Sequence, residues 1–166
     1  MAKRKSGTRR QDHFAREAQR RGYSARSVFK FEEIQKKHRV VRAGARVLDL
    51  GAAPGSWTAY IAEQVGASGR VVSVDLKPLE PARPLPDWVT EITGDFTDAH
   101  VDEAIRRFGP YYAVVSDAAP STTGNRLVDT ARSAALVESI EERLPDWLEP
   151  GGNLVIKVFQ GGEEQA

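Results

Sequence analysis

A glycine-rich turn, three acids at strand ends and one lysine in an apolar run carry most of the chemistry in this sequence. The stretch LDLGAAPGSW (48–57) supplies the turn. Gly51 lets the backbone approach a ligand, Pro54 and Gly55 shape the turn, and Trp57 opens a helix. The pattern has neither the third glycine of GxGxxG nor the Gly-Lys-Ser/Thr of a Walker loop, so it suits a nucleoside ligand without a pyrophosphate. Asp75 follows 24 residues after Gly51, close to the spacing at which an acid meets ribose hydroxyls. GDF (94–96) offers Asp95 to the exocyclic amine of an adenine and Phe96 to its ring. Strand-end acids also serve as plain loop caps, but signals at three consecutive strand ends favour an adenosyl ligand. Asp117 closes a further apolar run, either as a site residue or as a cap to the following turn. Lys157 interrupts LVIKVF (154–159), where a charged ammonium is costly to bury without a partner.

The elements that must position these residues alternate. ARVLDL (45–50), RVVSVD (70–75), WVTEIT (88–93), YYAVVSD (111–117) and NLVIKVF (153–159) read as strands. Helices are expected to about Val65, over 98–108 and over 126–148, the last stopped by PGG at 150–152. Two short helices, Asp12–Arg21 and Ser27–His38, precede the first strand and are separated by Gly22. Strands that are apolar throughout and alternate with helices imply a parallel sheet covered on both faces. Right-handed crossovers make that a doubly wound, Rossmann-like α/β domain. Ligands in such sheets sit beyond the carboxyl ends of the strands, and all of the unusual residues fall there.

The chain has 166 residues, 40% apolar and 28% charged, which fits one globular domain. No apolar run approaches the roughly 18 residues needed to span a bilayer, so no membrane partner is expected. Cysteine is absent, which removes disulfides and thiolate chemistry and fits a cytoplasmic location. His13, His38 and His100 lack ligand spacing, and no metal site is expected. The basic N-terminus has no apolar segment behind it, so a secretory leader is not expected. The net charge of +1 conceals a split: residues 1–46 hold 15 Lys/Arg against 4 Asp/Glu, and the rest hold 9 against 19. A basic half with Phe14, Tyr23 and Phe29 interleaved points to nucleic acid rather than to a merely solvated face.

LDLGAAPGSW, GDF, SDAAPSTTG and VIKVFQG together resemble the motifs of the FtsJ/RrmJ (RlmE-type) ribose 2′-O-methyltransferases. GYSARSVFKFEEI (22–34) is similar to that family's lysine-bearing first helix. The resemblance implies a Rossmann-like methyltransferase fold and S-adenosylmethionine as cofactor. Its contacts would come from Gly55, Trp57, Asp75 and Asp95, with Asp49, Gly51, Ala52, Pro54, Ser56 and Phe96 around them and Asp117 near the methyl donor. Lys30, Asp117 and Lys157 match the first three members of the family's Lys-Asp-Lys-Glu catalytic set. The implied substrate is a uridine of the A loop in large-subunit ribosomal RNA, as naked RNA or as the assembled large subunit. Residues 1–25 would then be a basic extension before a methyltransferase domain over 26–166, and a monomer is the default. The family continues beyond VFQG and carries its glutamate there. Glu163 and Glu164 follow too closely after Lys157 for that role, so the chain is expected to be shortened at its C-terminus.

A ribose hydroxyl is a weak nucleophile, and a group that accepts its proton assists methyl transfer. A lysine does so only when neutral, a form favoured by burial and by a second ammonium nearby. LVIKVF would supply the burial and Lys30 the second charge, leaving Asp117 to orient Lys157 and the hydroxyl. The alternatives are that Lys157 and Lys30 bind phosphate as simple cations. Loop 116–125 either closes over the target or merely connects. Other readings of the whole chain are a methyltransferase of transfer RNA or a messenger cap, a non-catalytic RNA-binding assembly factor, and a nicotinamide oxidoreductase. The last is disfavoured by the missing GxGxxG.

Overall fold

Runs of valine, leucine and isoleucine become the strands of one sheet, since β-branched side chains pack well on a pleated, buried surface. The computed structural model describes residues 5–158. Arg46–Leu50 (β1), Arg70–Asp75 (β2), Val89–Thr93 (β3), Tyr111–Ser116 (β4) and Leu148–Ile156 (β5) lie in the order β3-β2-β1-β4-β5. Every neighbouring pair is parallel. The helices are Lys5–Arg20 (α1), Val28–His38 (α2), Ser56–Val65 (α3), Ala99–Arg107 (α4), Arg126–Glu141 (α5) and Leu144–Trp147 (α6). The strand order reverses direction between β1 and β4, which places the switch point of the doubly wound sheet there.

The two-residue period of the strands divides the interior into two cores. Val47, Val71, Ala113 and Val115 meet Val28 and Phe31 of α2 and Ile61 and Val65 of α3. Leu48, Leu50, Val72, Val74 and Val114 meet Ile105 of α4, Ile140 of α5 and Trp147 of α6. Ala18 and Tyr23 belong to the first core, so the last turn of α1 packs with the domain. Arg21 adds a two-pronged ion pair to Glu32 of α2, at 3.0 and 3.3 Å.

Four expectations change. The helix expected over Asp12–Arg21 runs from Lys5 to Arg20. The helix expected over 126–148 is two: α5 ends at Glu141, and Pro145 stands in the first turn of α6. Proline has no N–H for a helix interior and is accepted in a first turn. The fifth strand starts at Leu148 rather than at Asn153, because a register irregularity opposite Tyr111 and Ala113 absorbs Pro150 and Gly151. It ends at Ile156, and Phe159 lies outside the described residues. Finally, β5 is not buried on both faces by the described residues. Among the described residues it pairs with β4 alone, and Leu154 is 39% exposed.

Candidate active site

The turn after β1 is held by backbone geometry that only glycine tolerates. Gly51 has φ +68°, and a Cβ there would lie 2.4 Å from the Cα of Ala118. The carboxylate of Asp75 accepts hydrogen bonds from Ala53 N at 3.0 Å and Lys77 N at 2.9 Å, tying the end of β2 to the same turn. Asp95 Oδ1 accepts from the N–H and the hydroxyl of Thr97, at 2.9 and 2.7 Å, and these bonds, backbone first, hold its carboxyl below the usual carboxylate range. Gly51, Asp75, Asp95, Phe96 and Asp117 line one cleft of about 410 Å³ at the carboxyl edge of β1, β2 and β4. An adenosyl group needs an acid for the ribose, a polar partner for the base edge and an apolar wall; Asp75, Asp95 and Phe96 bring these types to the cleft.

The rest of the motif points elsewhere. Pro54 is exposed on the surface and its carbonyl accepts from Glu80 N at 2.9 Å. Ala52 is buried, and Gly55 lies against Leu79 and Pro81, outside the cleft. Ser56 and Trp57 are also buried and face α2. The Ser56 and Ser27 hydroxyls are 2.9 Å apart, the Trp57 indole N–H donates to Ser27 O at 2.8 Å, and the Trp57 and Phe31 rings are 4.9 Å apart. Their visible task is to fasten the start of α2 to the start of α3.

Asp117 and Lys157 each stand one residue beyond a strand. Ser116 and Ile156 are register partners, Asp117 N donates to Leu50 O at 3.2 Å, and Lys157 N donates to Ser116 O at 2.9 Å. The ladder thus continues past the strand ends, and Lys157 Nζ reaches Asp117 Oδ1 at 3.0 Å. The Lys157 side chain is 51% exposed. The burial expected from LVIKVF is not seen among the described residues, where β5 pairs with β4 alone. A second hollow, of about 330 Å³, is lined by Phe14, Arg26, Phe29, Lys30, Asp117 and Lys157, with Ser27 and Trp57 beneath. Lys30 therefore shares a hollow with Lys157, and its own ion pair to Glu33 is long at 3.8 Å and exposed. Asp117 lines both hollows.

Asp49 lies under this surface and is fully buried. Its Oδ2 accepts from Thr58 Oγ1 at 2.7 Å, while Oδ1 has no partner among the described residues. Burial pushes its carboxyl up to about 7; the Thr58 bond opposes this, and the Asp117 and Asp75 charges add to it. It supports the site from below rather than facing the cleft. The strand period, which puts Asp49 on the same face as Val47, is the signal that could have shown this. Arg26 and Ser27 lie within GYSARSVFKFEEI, but sequence reasoning gave neither a role of its own.

The model of one family, FtsJ-like methyltransferase, matches residues 23–166. The chain belongs to that family. Among curated relatives, ribosomal RNA large subunit methyltransferase E of Treponema denticola is 45% identical over 154 residues, 93% of this chain and 77% of the relative. The enzyme of the same name from Syntrophobacter fumaroxidans is 47% identical over 153 residues, 92% of this chain and 77% of its own length. A Plasmodium falciparum structure described as a ribosomal RNA methyltransferase superposes with a TM-score of 0.75 at 24% identity. That match covers 85% of this chain and 81% of the other, and it shows the fold. As a member of the FtsJ-like family, the chain is a methyltransferase built on a Rossmann-like sheet, and the two hollows sharing Asp117 lie at the edge where such sheets hold ligands.

Proposed function

We propose that the protein transfers a methyl group from S-adenosylmethionine to a ribose 2′-oxygen of large-subunit ribosomal RNA, a uridine of the A loop, with Lys157 as proton acceptor. The observation that carries this reading is Asp117, which lines the cleft suited to an adenosyl group and the hollow containing Lys157 and Lys30. The names and extent of the curated relatives support ribosomal RNA as the substrate. When bound, the cofactor supplies an electrophilic methyl on a sulfonium that leaves as a neutral thioether.

The chain's own residues do the rest. Asp75 and Asp95 hold the nucleoside, and Phe96 walls its base. Asp117 Oδ1 lies 3.0 Å from Lys157 Nζ and so orients it. The 2′-hydroxyl proton passes to Nζ of the neutral amine as the oxygen attacks. Holding the two reactants on either side of Asp117 supplies the proximity that makes the displacement effectively unimolecular. Residues 1–25 supply a basic RNA-docking surface beside a methyltransferase domain over 26–166, with Ala18 and Tyr23 packed into that domain's core, and the working unit is a monomer in the cytoplasm.

Transfer of labelled methyl to undermethylated large ribosomal subunits tests this. Label in a 2′-O-methyl nucleoside supports the reading, and label on a base refutes it. Transfer RNA or capped messenger as the sole acceptor would retain the chemistry and change the substrate.

A further inference from the structure

Phe14, Tyr23 and Phe29 are interleaved with arginines in the N-terminal segment, and the structure gives them different tasks. Tyr23 is 5% exposed and donates its hydroxyl proton to Glu63 at 2.9 Å. It is a packing residue. Phe29 is half-buried and held beneath the Arg21 guanidinium, 5.4 Å from the ring centre. Phe14 stands on α1, a helix otherwise covered in charged and polar residues, and is 39% exposed. Its ring contacts Phe29 at 5.9 Å with a 54° tilt and His13 at 5.7 Å, and both phenylalanines line the hollow that holds Lys157.

A ribose that reaches Lys157 brings its base into that hollow. The walls available to the base are the two phenyl rings, and those available to the adjoining phosphates are Arg26 and Lys30. A duplex would present this ribose through its shallow minor groove, with both faces of the base already stacked on neighbours. Apolar rings would then have nothing to cover. Aromatic side chains set among cations are instead the platform on which unpaired bases stack.

We propose that Phe14 stacks on the base of the target nucleotide, so that α1 forms a wall of the substrate site and the site accepts an unpaired nucleotide. This rests on the ribose methyl transfer proposed above. The N-terminal segment then selects for single-stranded conformation as well as attracting RNA by charge.

The probe is a short oligouridylate with one central 5-iodouridine, which photocrosslinks to aromatic side chains stacked on it, used free and annealed to its complement with the full chain. The crosslink is expected on the tryptic peptide of residues 11–16, QDHFAR, with the free strand and to vanish with the duplex. Phe14→Ala weakens binding of the free strand about 5- to 100-fold, the range for loss of one base-stacking ring, and leaves duplex binding unchanged. Phe14→Trp retains free-strand binding. Equal free-strand affinity of wild type and Phe14→Ala, or a crosslink confined to other peptides, overturns the proposal. The two readings fail separately. Methyl transfer to a ribose with Phe14→Ala indistinguishable from wild type removes the stacking alone. Stacking without any methyl at a 2′-oxygen removes the reaction alone.

Discussion

Lys157 Nζ lies 3.0 Å from Asp117 Oδ1 because two parallel strands end in step. The contact spans 40 residues of sequence, yet its geometry follows from the pairing of Ser116 with Ile156 and one further residue on each strand. Neither side chain is deeply buried, so the pair is oriented by backbone register more than by surrounding packing. Asp117 is in turn fixed to β1 through its N–H, beside the turn that begins at Gly51. One short stretch of ladder thus links the two hollows.

Asp75 is predicted to hold the cofactor without touching RNA. Its carboxylate also supports the turn through Ala53 N. Asp75→Ala should weaken S-adenosylmethionine binding about ten- to a hundredfold, the scale of a lost charge-assisted hydrogen bond. Calorimetry measures this directly, and RNA affinity in the absence of cofactor should not change.

Gly51→Ala forces a Cβ to within 2.4 Å of the Ala118 Cα at a φ of +68°. Backbone, not a flexible side-chain tip, has to yield. The expected cost is about 1–3 kcal/mol of stability, read as a lowered melting temperature, together with loss of cofactor binding as the turn moves. An unshifted melting curve would contradict this account of the turn.

Asp49 gives the fold a pH dependence. Its carboxyl is pushed up to about 7, chiefly by burial, whereas an unfolded aspartate titrates near 3.9. The folded state therefore holds a proton that the unfolded chain has released. The stability associated with that proton is present below about pH 4 and is lost progressively as the pH rises through about 7. Asp49→Asn cannot ionise. Its melting temperature relative to wild type should rise between about pH 5 and pH 8, by about 2–4 °C for each kcal/mol. A constant difference would exclude the effect.

Trp57→Phe keeps a ring against Phe31 and removes the 2.8 Å bond from the indole to Ser27 O. If that bond positions Lys30 by anchoring the start of α2, KM for RNA should rise about fivefold, the worth of one hydrogen bond. Cofactor affinity should hold. A loss of cofactor affinity with unchanged KM would instead put Trp57 at the cofactor.

The sheet and the edge that carries the site were legible in the sequence because both rest on local signals. Apolar runs of strand length, a glycine turn after the first of them and polar residues at their ends leave few arrangements of an α/β chain. What escaped depended on neighbours. Lys157 is half exposed among the described residues, where β5 pairs with β4 alone, and the apolar run LVI does not declare this. Pro145 was a local signal for the break between α5 and α6, outweighed by the long helical pattern around it. Ser56 and Trp57 sit inside the motif, but their side chains face α2, and only packing decides which side of a turn a residue serves. Phe14 and Tyr23 looked alike in sequence and differ because one has the sheet's core beneath it.

The central claim is that Lys157 takes the proton from a ribose 2′-hydroxyl. Wild type and Lys157→Ala should be compared for transfer of labelled methyl from S-adenosylmethionine to undermethylated large ribosomal subunits, with the products hydrolysed in alkali. The expected result is one alkali-resistant dinucleotide in wild type and a rate about 10²–10⁴ lower in the variant, with its cofactor affinity retained. Label released as mononucleotides, or a variant as fast as wild type, would contradict the claim.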